Sequence, residues 1–592
     1  MRRAFWFLAV VLVLVVGRAW SDGPYMKLDD LRPGMKGVVR TVLTGVKVEE
    51  IPIEVVDVMR RVGPDKDVVI VRLLGDRIKE VGVARGMSGS PVYVDGKLVG
   101  ALSSAWRFVR EPIAGVTPIE AMMKVRPNDL GGRKVASGVT WQPGETVPSQ
   151  RFIERMLNPT PAFTYIGPAN MTTLQTPISV SGLSRRSTAL LSDRLRAFDV
   201  AVVEGGAGVL HADVPADFKL EPGGTLCIPL VRGDFEASAL GTATEVAGTH
   251  VYAFGHPLFG AGAVEYPLAT GYIHIVVPTE EMSFKLGSVL RPVGSITVDQ
   301  ANAVAGELGK IPEMMKVVFD VKRRDLVGDS RFNLDVVKDP RMMLTFLNAA
   351  IGGVLDASGK PDTEVKIIQR VTMDVEGYPP LEIEEVFGGP QAPTDAFATF
   401  VMPLGTILHN PYTRVNIRSI HVSTEVIPGD PRAVIRSAES DKADYRPGET
   451  VDVRVTFQPF RGKVVLRHYK IQVPVDAPEG SLSLLVCDPT TDERMESREM
   501  PHRFRPEDVQ GIMEFFRRAR PSTDVVFRLS RQLPGLAVKG REMPDLPGSV
   551  ISVLGKESST DVSSFVTPVV RREPTEFVVV GEQELEINVI RD

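Results

Sequence analysis

The sequence predicts a mainly β protein, and two observations support this fold class. Glycine and proline, which favour turns, number 53 and 45 among the 592 residues, and they separate short runs rich in valine, isoleucine and threonine. Within such runs apolar and polar residues alternate, as in MKGVVRTVLTG (35–45) and VEEIPIEVVDVM (48–59). This alternation is typical of half-buried strands, whereas the apolar run DVVIVRLL (67–74) suits a fully buried one.

Composition and charge exclude several functional classes. The chain is 43% hydrophobic and 24% charged with a net charge of −5, which is typical of a globular protein of several domains. Because basic residues are not in excess, no nucleic-acid partner is predicted. Cys227 and Cys487 are the only cysteines and lie far apart, so no disulfide framework is expected. His250 and His256 lack a third ligand at suitable spacing, and no metal or cofactor is predicted.

The N-terminus predicts export. Arg2 and Arg3 precede an apolar run over residues 4–16, and the small residues Ala19 and Ser21 follow it. This order is typical of a secretory signal peptide, with cleavage expected after Ser21. The alternative is an uncleaved membrane anchor, but the run is shorter than the roughly 20 residues that span a bilayer. We therefore expect a periplasmic or extracellular protein without an integral membrane segment after cleavage.

Changes in pattern along the chain predict its domain organisation. Residues 124–215 mix Pro-rich loops with a helix around STALLSDRLRAF (187–198) and interrupt two strand-rich regions. A second helix is predicted over 339–357, and a third over 506–520. The predicted segments are a signal peptide (1–21), a first strand-rich half (22–123), a mixed α/β insertion (124–215), a second half (216–345), a connecting β-rich region (346–429), an immunoglobulin-like sandwich (430–490) and a C-terminal region (491–592).

The immunoglobulin-like module is predicted from turns at strand-length spacing. Pro447-Gly448 and Arg461-Gly462 punctuate short alternating strands, the pattern of antiparallel hairpins. His468 alternates with apolar neighbours there and is expected to face solvent. We expect no catalytic residue in this module and a docking role for it.

The stretch RGMSGSPVYVDGKLVGAL (85–102) carries the predicted chemistry. A serine becomes a nucleophile when its hydroxyl is presented beside a base and faces N–H donors that hold an oxyanion. Gly86 allows a turn in which its own amide and that of Ser88 point to one spot. Ser88 rather than Ser90 is then the nucleophile, because it follows that glycine by two residues. The alternative is a bulged β-turn without chemistry.

GMSGSP (86–91) resembles the serine motif of the SpoIVB serine peptidase family. The likeness extends to VGVARGMSGSP (81–91) and IAGVTPIEAMM (113–123). VYAFGHPLFGAG (251–262) is similar to the family segment that carries the catalytic histidine, and residues 284–312 resemble the stretch after it. The resemblance implies a two-barrel, chymotrypsin-like peptidase domain in which His256 is the base. The family's peptide-binding PDZ module has no visible counterpart.

The order of the two parts differs from the family, in which histidine precedes serine. Here Ser88 comes first, so the resemblance implies that the halves are exchanged as in a circular permutation. A catalytic triad tolerates this exchange because the spatial roles of its residues define it. The family's aspartate lies a little over a dozen residues before the serine motif. Asp76 is the nearest candidate for the acid, although a solvated turn carboxylate is the alternative reading. Asp299 and Glu265 remain further candidates.

Together these features predict an exported serine endopeptidase that cleaves a protein or peptide substrate in the cell envelope. Ser88 attacks, His256 shuttles the proton, Asp76 orients the histidine, and the amides of Gly86 and Ser88 hold the oxyanion. The alternative is a non-catalytic envelope scaffold or binding protein that keeps the peptidase-like barrels. The substrate sequence and the oligomeric state are not specified by these patterns.

Overall fold

Strands account for 51% and helices for 19% of the structure, which confirms the mainly β prediction. The structure is a computed structural model. It describes residues 24–63, 66–126, 152, 155–156, 171–206, 214–215, 217–324, 329–357, 364–530, 534–538, 541–554 and 562–591. The predicted signal peptide, 1–21, lies outside the described residues. Within those ranges no helix combines the length and the apolar character needed to cross a membrane.

Six antiparallel strands of the first half close into a ring. They are β1 (Lys36–Val42), β2 (Val48–Gly63), β3 (Lys66–Leu73), β4 (Pro91–Val94), β5 (Lys97–Ala105) and β6 (Ile113–Pro118). The order is β4-β1-β2-β3-β6-β5, and β5 pairs back onto β4. The β4–β5 turn places Asp95 and Gly96 at positive φ, the backbone of a tight hairpin. The ring encloses alternating apolar side chains such as Val39, Val71 and Val116. Short helices α1 (Asp76–Val81) and α2 (Ile119–Met122) flank it.

The predicted insertion contributes strands to both halves. β7 (Thr172–Thr173) pairs with β5 of the first ring. β8 (Thr176–Ser181) and β9 (Val200–Glu204) are parallel and are joined through helix α3 (Arg185–Leu195), as the sequence predicts. Ser184 caps α3 by accepting the amide of Ser187.

A second ring of six strands follows the insertion. Its strands are β10 (Thr225–Gly233), β11 (Glu236–Ala247), β12 (His250–Ala253), β13 (Gly262–Val277), β14 (Phe284–Gln300) and β15 (Ala303–Leu308). The order β10-β13-β14-β15-β12-β11 closes where β11 pairs with β10, and β8 adds to β11 outside the ring. All pairings within the ring are antiparallel.

The two rings pack directly against each other. Residues 45 and 273 form one β-bridge between them, and residues 85 and 284 form another. An apolar cluster spans the contact with side chains from both rings, including Leu98, Ala101, Ile119, Tyr252, Val298 and Ala305. This arrangement is compatible with a chymotrypsin-like two-barrel fold, with the serine-bearing ring first in the chain. The circular permutation itself remains a prediction.

The second ring continues into an open sheet. Its added strands are β16 (Met315–Arg323), β17 (Asp329–Val336), β18 (Val365–Val375), β19 (Leu381–Gly388) and β20 (Ile417–Pro428), in the order β19-β18-β20-β16-β17-β10. Helices α4 (Pro340–Ala357), predicted from the sequence, and α5 (Ala392–Leu408) accompany this sheet. Their apolar residues join the core of the second ring.

In the structure the C-terminal region begins near residue 430 and forms two sheets around one core, with a third sheet of three short strands beside them. The first has the order β24-β23-β21-β31, and the second β22-β32-β25-β26-β30. The strands are β21 (Arg432–Ser440), β22 (Asp444–Tyr445), β23 (Thr450–Pro459), β24 (Val465–Gln472), β25 (Gly480–Cys487), β26 (Asp524–Leu529), β30 (Val569–Pro574), β31 (Val578–Val580) and β32 (Glu582–Val589). Both sheets therefore include strands beyond residue 490, and the immunoglobulin-like topology predicted for 430–490 is not confirmed.

The remaining elements lie among these last strands. They are α6 (Pro489–Glu499), α7 (Val509–Arg517), β27 (Pro534–Val538), β28 (Arg541–Met543), α8 (Gly548–Leu554) and β29 (Val562–Val566). Helix α7 confirms the third predicted helix, and Asp508 caps it through the amide of Gly511. His468 lies on β24 with its side chain exposed and bonded to Asp452, as expected for a solvent-facing residue.

Candidate active site

The serine loop connects α1 to β4 and is packed between the two rings. Gly86 and Gly89 adopt φ of 89° and 91°, a left-handed conformation that favours glycine. A Cβ on Gly89 would lie 1.9 Å from the carbonyl oxygen of Thr242 and 2.6 Å from the amide nitrogen of Phe254. No side chain fits at that distance. The glycine thus allows the serine loop to approach β11 and the segment leading to His256.

Ser88 is fully buried, and its Oγ has no hydrogen-bond partner among the described residues. A buried hydroxyl without a partner carries a desolvation cost of about 1–3 kcal/mol, and such exceptions concentrate at functional sites. The carbonyl oxygen of Ser88 accepts the Thr242 amide at 2.8 Å. The backbone of the candidate nucleophile is therefore held while its hydroxyl is left available.

The amides expected to form the oxyanion hole have no internal acceptor. Met87 and Gly89 donate their N–H groups to Ala84 and Leu102. In the described part of the chain, no backbone hydrogen bond is donated by Gly86 or Ser88. Two N–H groups without a backbone acceptor, close in sequence to the candidate nucleophile, are the kind of donor pair that an oxyanion requires.

His256 follows β12 on a tight turn. Phe254 and Gly255 have φ of 69° and 70°, and the imidazole that follows is 2% exposed. Its Nδ1 lies 2.7 Å from the carbonyl oxygen of Pro257. Since a carbonyl oxygen can only accept, Nδ1 carries the proton and Nε2 has the free lone pair. Nε2 forms no hydrogen bond among the described residues, although the backbone of Leu174 lies close enough to the imidazole to raise its pKa. The lone pair of Nε2 is therefore available to accept a proton.

Burial lowers the pKa of His256, which favours the neutral imidazole needed for a general base. The bond to the Pro257 carbonyl opposes that shift, and the negative charge of Asp199 does so as well. Asp199 accepts hydrogen bonds from Thr173 and, at 2.8 Å, from Gln175 Nε2. It is an acid near the histidine that sequence reasoning did not single out, because it lies in the insertion and outside the resemblance.

The loops that carry Ser88 and His256 meet at β5. The amide of Gly89 donates to Leu102, while a Cβ on Gly255 would lie 3.1 Å from Cβ of Ala101. Together with the contact between Gly89 and Phe254, this places the two loops side by side. Ser88 and His256 are not hydrogen-bonded to each other in this unliganded state, in which catalytic contacts are often loose.

The three carboxylates considered as the acid occupy different places. Asp76 begins α1, its side chain is 96% exposed, and it pairs with Lys79 at 2.9 Å. Glu265 is also exposed, with Lys310 at 3.9 Å. These positions correspond to solvated carboxylates and weigh against a direct contact with a buried imidazole. The catalytic role of Asp76 stays a prediction that its exposure disfavours.

Asp299 is buried and fastens the loop that follows His256. Its carboxylate accepts the amides of Leu258 and Phe259, both at 2.8 Å, and that of Ala261 at 3.2 Å. Burial raises the pKa of Asp299 more than these three bonds lower it. Asp299 therefore positions the histidine loop through its backbone, a role different from that of a triad acid.

A second group of polar side chains lies beneath the serine loop and was not predicted. Lys285 on β14 is 1% exposed, and its Nζ is 2.7 Å from Oγ1 of Thr41. Ser90 Oγ is 3.0 Å from the same oxygen. Nothing in the local sequence distinguishes Lys285 from a surface lysine, because strand alternation alone does not reveal what the opposite ring covers.

Two six-stranded rings that meet at a serine loop and a histidine loop are compatible with the class of chymotrypsin-like two-barrel proteins. Residues 28–123 match the family model of the SpoIVB peptidase S55. The matched range includes the serine motif and all six strands of the first ring, and it ends before the segment of His256. Neither a curated protein nor a solved structure matches the chain. Over the described residues no cluster of histidine, cysteine and acidic side chains suits a metal ion.

Proposed function

We propose that this chain is an exported serine endopeptidase of the SpoIVB type that acts on a protein or peptide in the cell envelope. The single observation that carries the proposal is that two buried atoms on adjoining loops, Ser88 Oγ and His256 Nε2, form no hydrogen bond among the described residues. The family match over the first ring supports the same reading. Export is inferred from the signal-like segment 1–21.

The proposed reaction is acyl transfer. His256 Nε2 accepts the proton of Ser88 Oγ as that oxygen attacks the scissile carbonyl carbon. The resulting oxyanion is held by the amides of Gly86 and Ser88. His256 then returns the proton to the leaving amine, and water hydrolyses the acyl-enzyme by the same steps. The Pro257 carbonyl keeps the imidazole in the tautomer that this cycle requires.

Because Ser88 is buried, a peptide must displace the groups that cover it before the reaction starts. A buried site of this kind excludes water, which strengthens the electrostatic interactions within it. Substrate binding and site opening are therefore expected to be linked, and small probes should react faster than large ones.

Labelling with a fluorophosphonate tests the nucleophile. The mature wild-type protein should be labelled at Ser88, and Ser88→Ala should abolish labelling. Ser104 is the matched control because it is also buried with an unpartnered Oγ, and Ser104→Ala should keep the label. Equal labelling of wild type and Ser88→Ala would exclude Ser88 as the nucleophile. A folded wild-type protein that never reacts would favour the non-catalytic scaffold.

A further inference from the structure

We propose that Lys285 is a positioning residue for the serine loop, whose buried amine supports Thr242, the residue that binds the carbonyl groups of Gly86 and Ser88. This inference rests on the proposed function, since it assigns a task at the same site. Lys285 belongs to the second ring, whereas the loop that it supports belongs to the first.

The backbone and stem of Lys285 line the serine loop. Its amide donates to the carbonyl oxygen of Arg85 at 2.9 Å. A Cβ on Gly86 would lie 3.1 Å from Cβ and 3.2 Å from Cδ of Lys285. The methylene chain therefore packs against the glycine whose amide is proposed to hold the oxyanion.

The amine acts on the loop through two threonines. Lys285 Nζ is 2.7 Å from Thr41 Oγ1 and 3.5 Å from Thr242 Oγ1. Thr242 in turn donates its hydroxyl to the Gly86 carbonyl at 3.1 Å and its amide to the Ser88 carbonyl at 2.8 Å. Thr242 thus holds the carbonyl groups of Gly86 and Ser88, and Lys285 makes a weak hydrogen bond to the hydroxyl that binds Gly86.

The charge state of Lys285 matters because no carboxylate belongs to this cluster. Burial lowers the pKa of Lys285 to about 7. The titratable group facing it from β10 is Cys227, and burial raises the pKa of this thiol to about 12, which keeps it uncharged. Arg85, next to the stem, directs its guanidinium to Gln175 and Glu281. Thr41 and Thr242 contribute only hydroxyls.

Protonation would rearrange this cluster. Lys285 Nζ donates to Thr41 Oγ1 and Thr242 Oγ1, whereas an ammonium requires acceptors for three N–H groups. Among the described residues these two oxygens are the hydrogen-bond acceptors of Nζ, so protonation leaves one N–H of a buried cation without a partner. The cluster is then expected to open toward water, and the serine loop that packs on it should lose its fixed geometry as Lys285 takes up a proton.

The test is the pH profile of fluorophosphonate labelling in the full mature chain. For wild type we expect the labelling rate to fall below about pH 7, and Lys285→Met should lack this fall and decline only where His256 protonates, at lower pH. Lys285→Arg, which is always charged, should slow labelling about tenfold or more at every pH. Lys310→Met, at an exposed lysine, should keep the wild-type profile.

If the labelling rate of Lys285→Met still falls below about pH 7 as in wild type, the inference is overturned. This fall of the rate at low pH is called the acid limb. If that variant does not fold, Thr41→Val serves instead. Thr41 Oγ1 is the acceptor 2.7 Å from Nζ, so its removal should lower the pKa of Lys285 and move the acid limb to lower pH. An acid limb at the wild-type pH would again overturn the inference. This result can be distinguished from a failure of the proposed function. Labelling that depends on Ser88 but keeps the wild-type acid limb in Lys285→Met refutes only the role of Lys285.

Discussion

At the scale of single residues, the histidine of this site is oriented by a backbone carbonyl. In a Ser-His-Asp triad a carboxylate bonds Nδ1 and stabilises the imidazolium that forms. Here the Pro257 carbonyl oxygen accepts a hydrogen bond from Nδ1–H, and Asp199 supplies negative charge that raises the pKa of the buried ring. In a triad one aspartate both orients the histidine and compensates its charge. Here the Pro257 carbonyl orients the imidazole, and Asp199 supplies the negative charge.

Substitution of the two aspartates should separate these roles. Asp199→Asn should lower the pKa of His256 further and slow labelling about three- to tenfold at pH 7, because a weaker base takes the serine proton less readily. Asp76→Ala should leave the labelling rate within about twofold of wild type. Among the described residues, the exposed Asp76 carboxylate bonds to Lys79, and an exposed pair of this kind contributes little. Both rates are measured with the same probe. A large loss in Asp76→Ala with none in Asp199→Asn would restore Asp76 as the acid.

At the scale of elements, the turns decide how closely the rings approach. Gly89 combines positive φ with backbone atoms of β11 and of residue 254 at distances that exclude a Cβ. Gly96, in the β4–β5 turn, has φ of 73° but nothing within 4 Å of an added Cβ. The two glycines thus differ in packing but share a left-handed backbone conformation, which strains other residues.

Alanine at each glycine should show this difference. Gly96→Ala should lower the free energy of unfolding by about 1 kcal/mol, the cost of positive φ alone. Gly89→Ala should cost about 3 kcal/mol or more, because rigid backbone must also move, and labelling of Ser88 should be lost as the loop shifts. Urea unfolding measures both. Equal costs at the two positions would show that the loop can withdraw from β11 without penalty.

At the scale of the whole molecule, the junction between the rings includes a buried, unpaired amine, and this makes stability depend on pH. The folded-state pKa of Lys285 is about 7, below the value of about 10.4 for an unfolded lysine. The unfolded chain therefore binds more protons between those values, and stability rises with pH across that window.

The comparison of wild type with Lys285→Met should reveal this contribution. The free energy of unfolding of wild type should rise relative to the variant by up to about 1.4 kcal/mol per pH unit from pH 7 to 10. Below pH 7 the difference should become constant, since lysine is then charged in both states. Denaturant titrations at several pH values measure it. A flat difference from pH 7 to 10 would mean that Lys285 is solvated and charged in the folded protein.

The C-terminal region is joined to the second ring by apolar contacts. Val509, Ile512, Met513 and Phe516 on helix α7 belong to the same buried cluster as Phe400 of α5 and Leu381 of β19. The site itself, in contrast, is formed by residues before 310. The C-terminal region should therefore affect stability more than chemistry.

Truncation after residue 428 tests this division. The shortened chain should unfold at a lower temperature than the full one, because it exposes the apolar residues that α7 covers. The fraction that folds should still be labelled at Ser88. Circular dichroism and probe labelling of the same sample measure both properties. A folded truncated chain without label would show that the C-terminal region helps to build the site.

The β class, three helices and the serine motif could be predicted from the sequence. Strand alternation, helix periodicity and the glycine spacing of 86–91 are local properties, so each can be read from neighbouring residues. It also indicated His256, through a segment that resembles the family although it lies outside the matched residues 28–123. Only the tertiary structure decided which side chains surround these residues. Asp76 is exposed, Asp199 lies near the histidine, and Lys285 is buried against a loop almost 200 residues earlier. Whether a side chain is buried or charged at the junction depends on which residues the opposite ring packs against it. Those residues are too distant along the chain for a local sequence pattern to encode the contact.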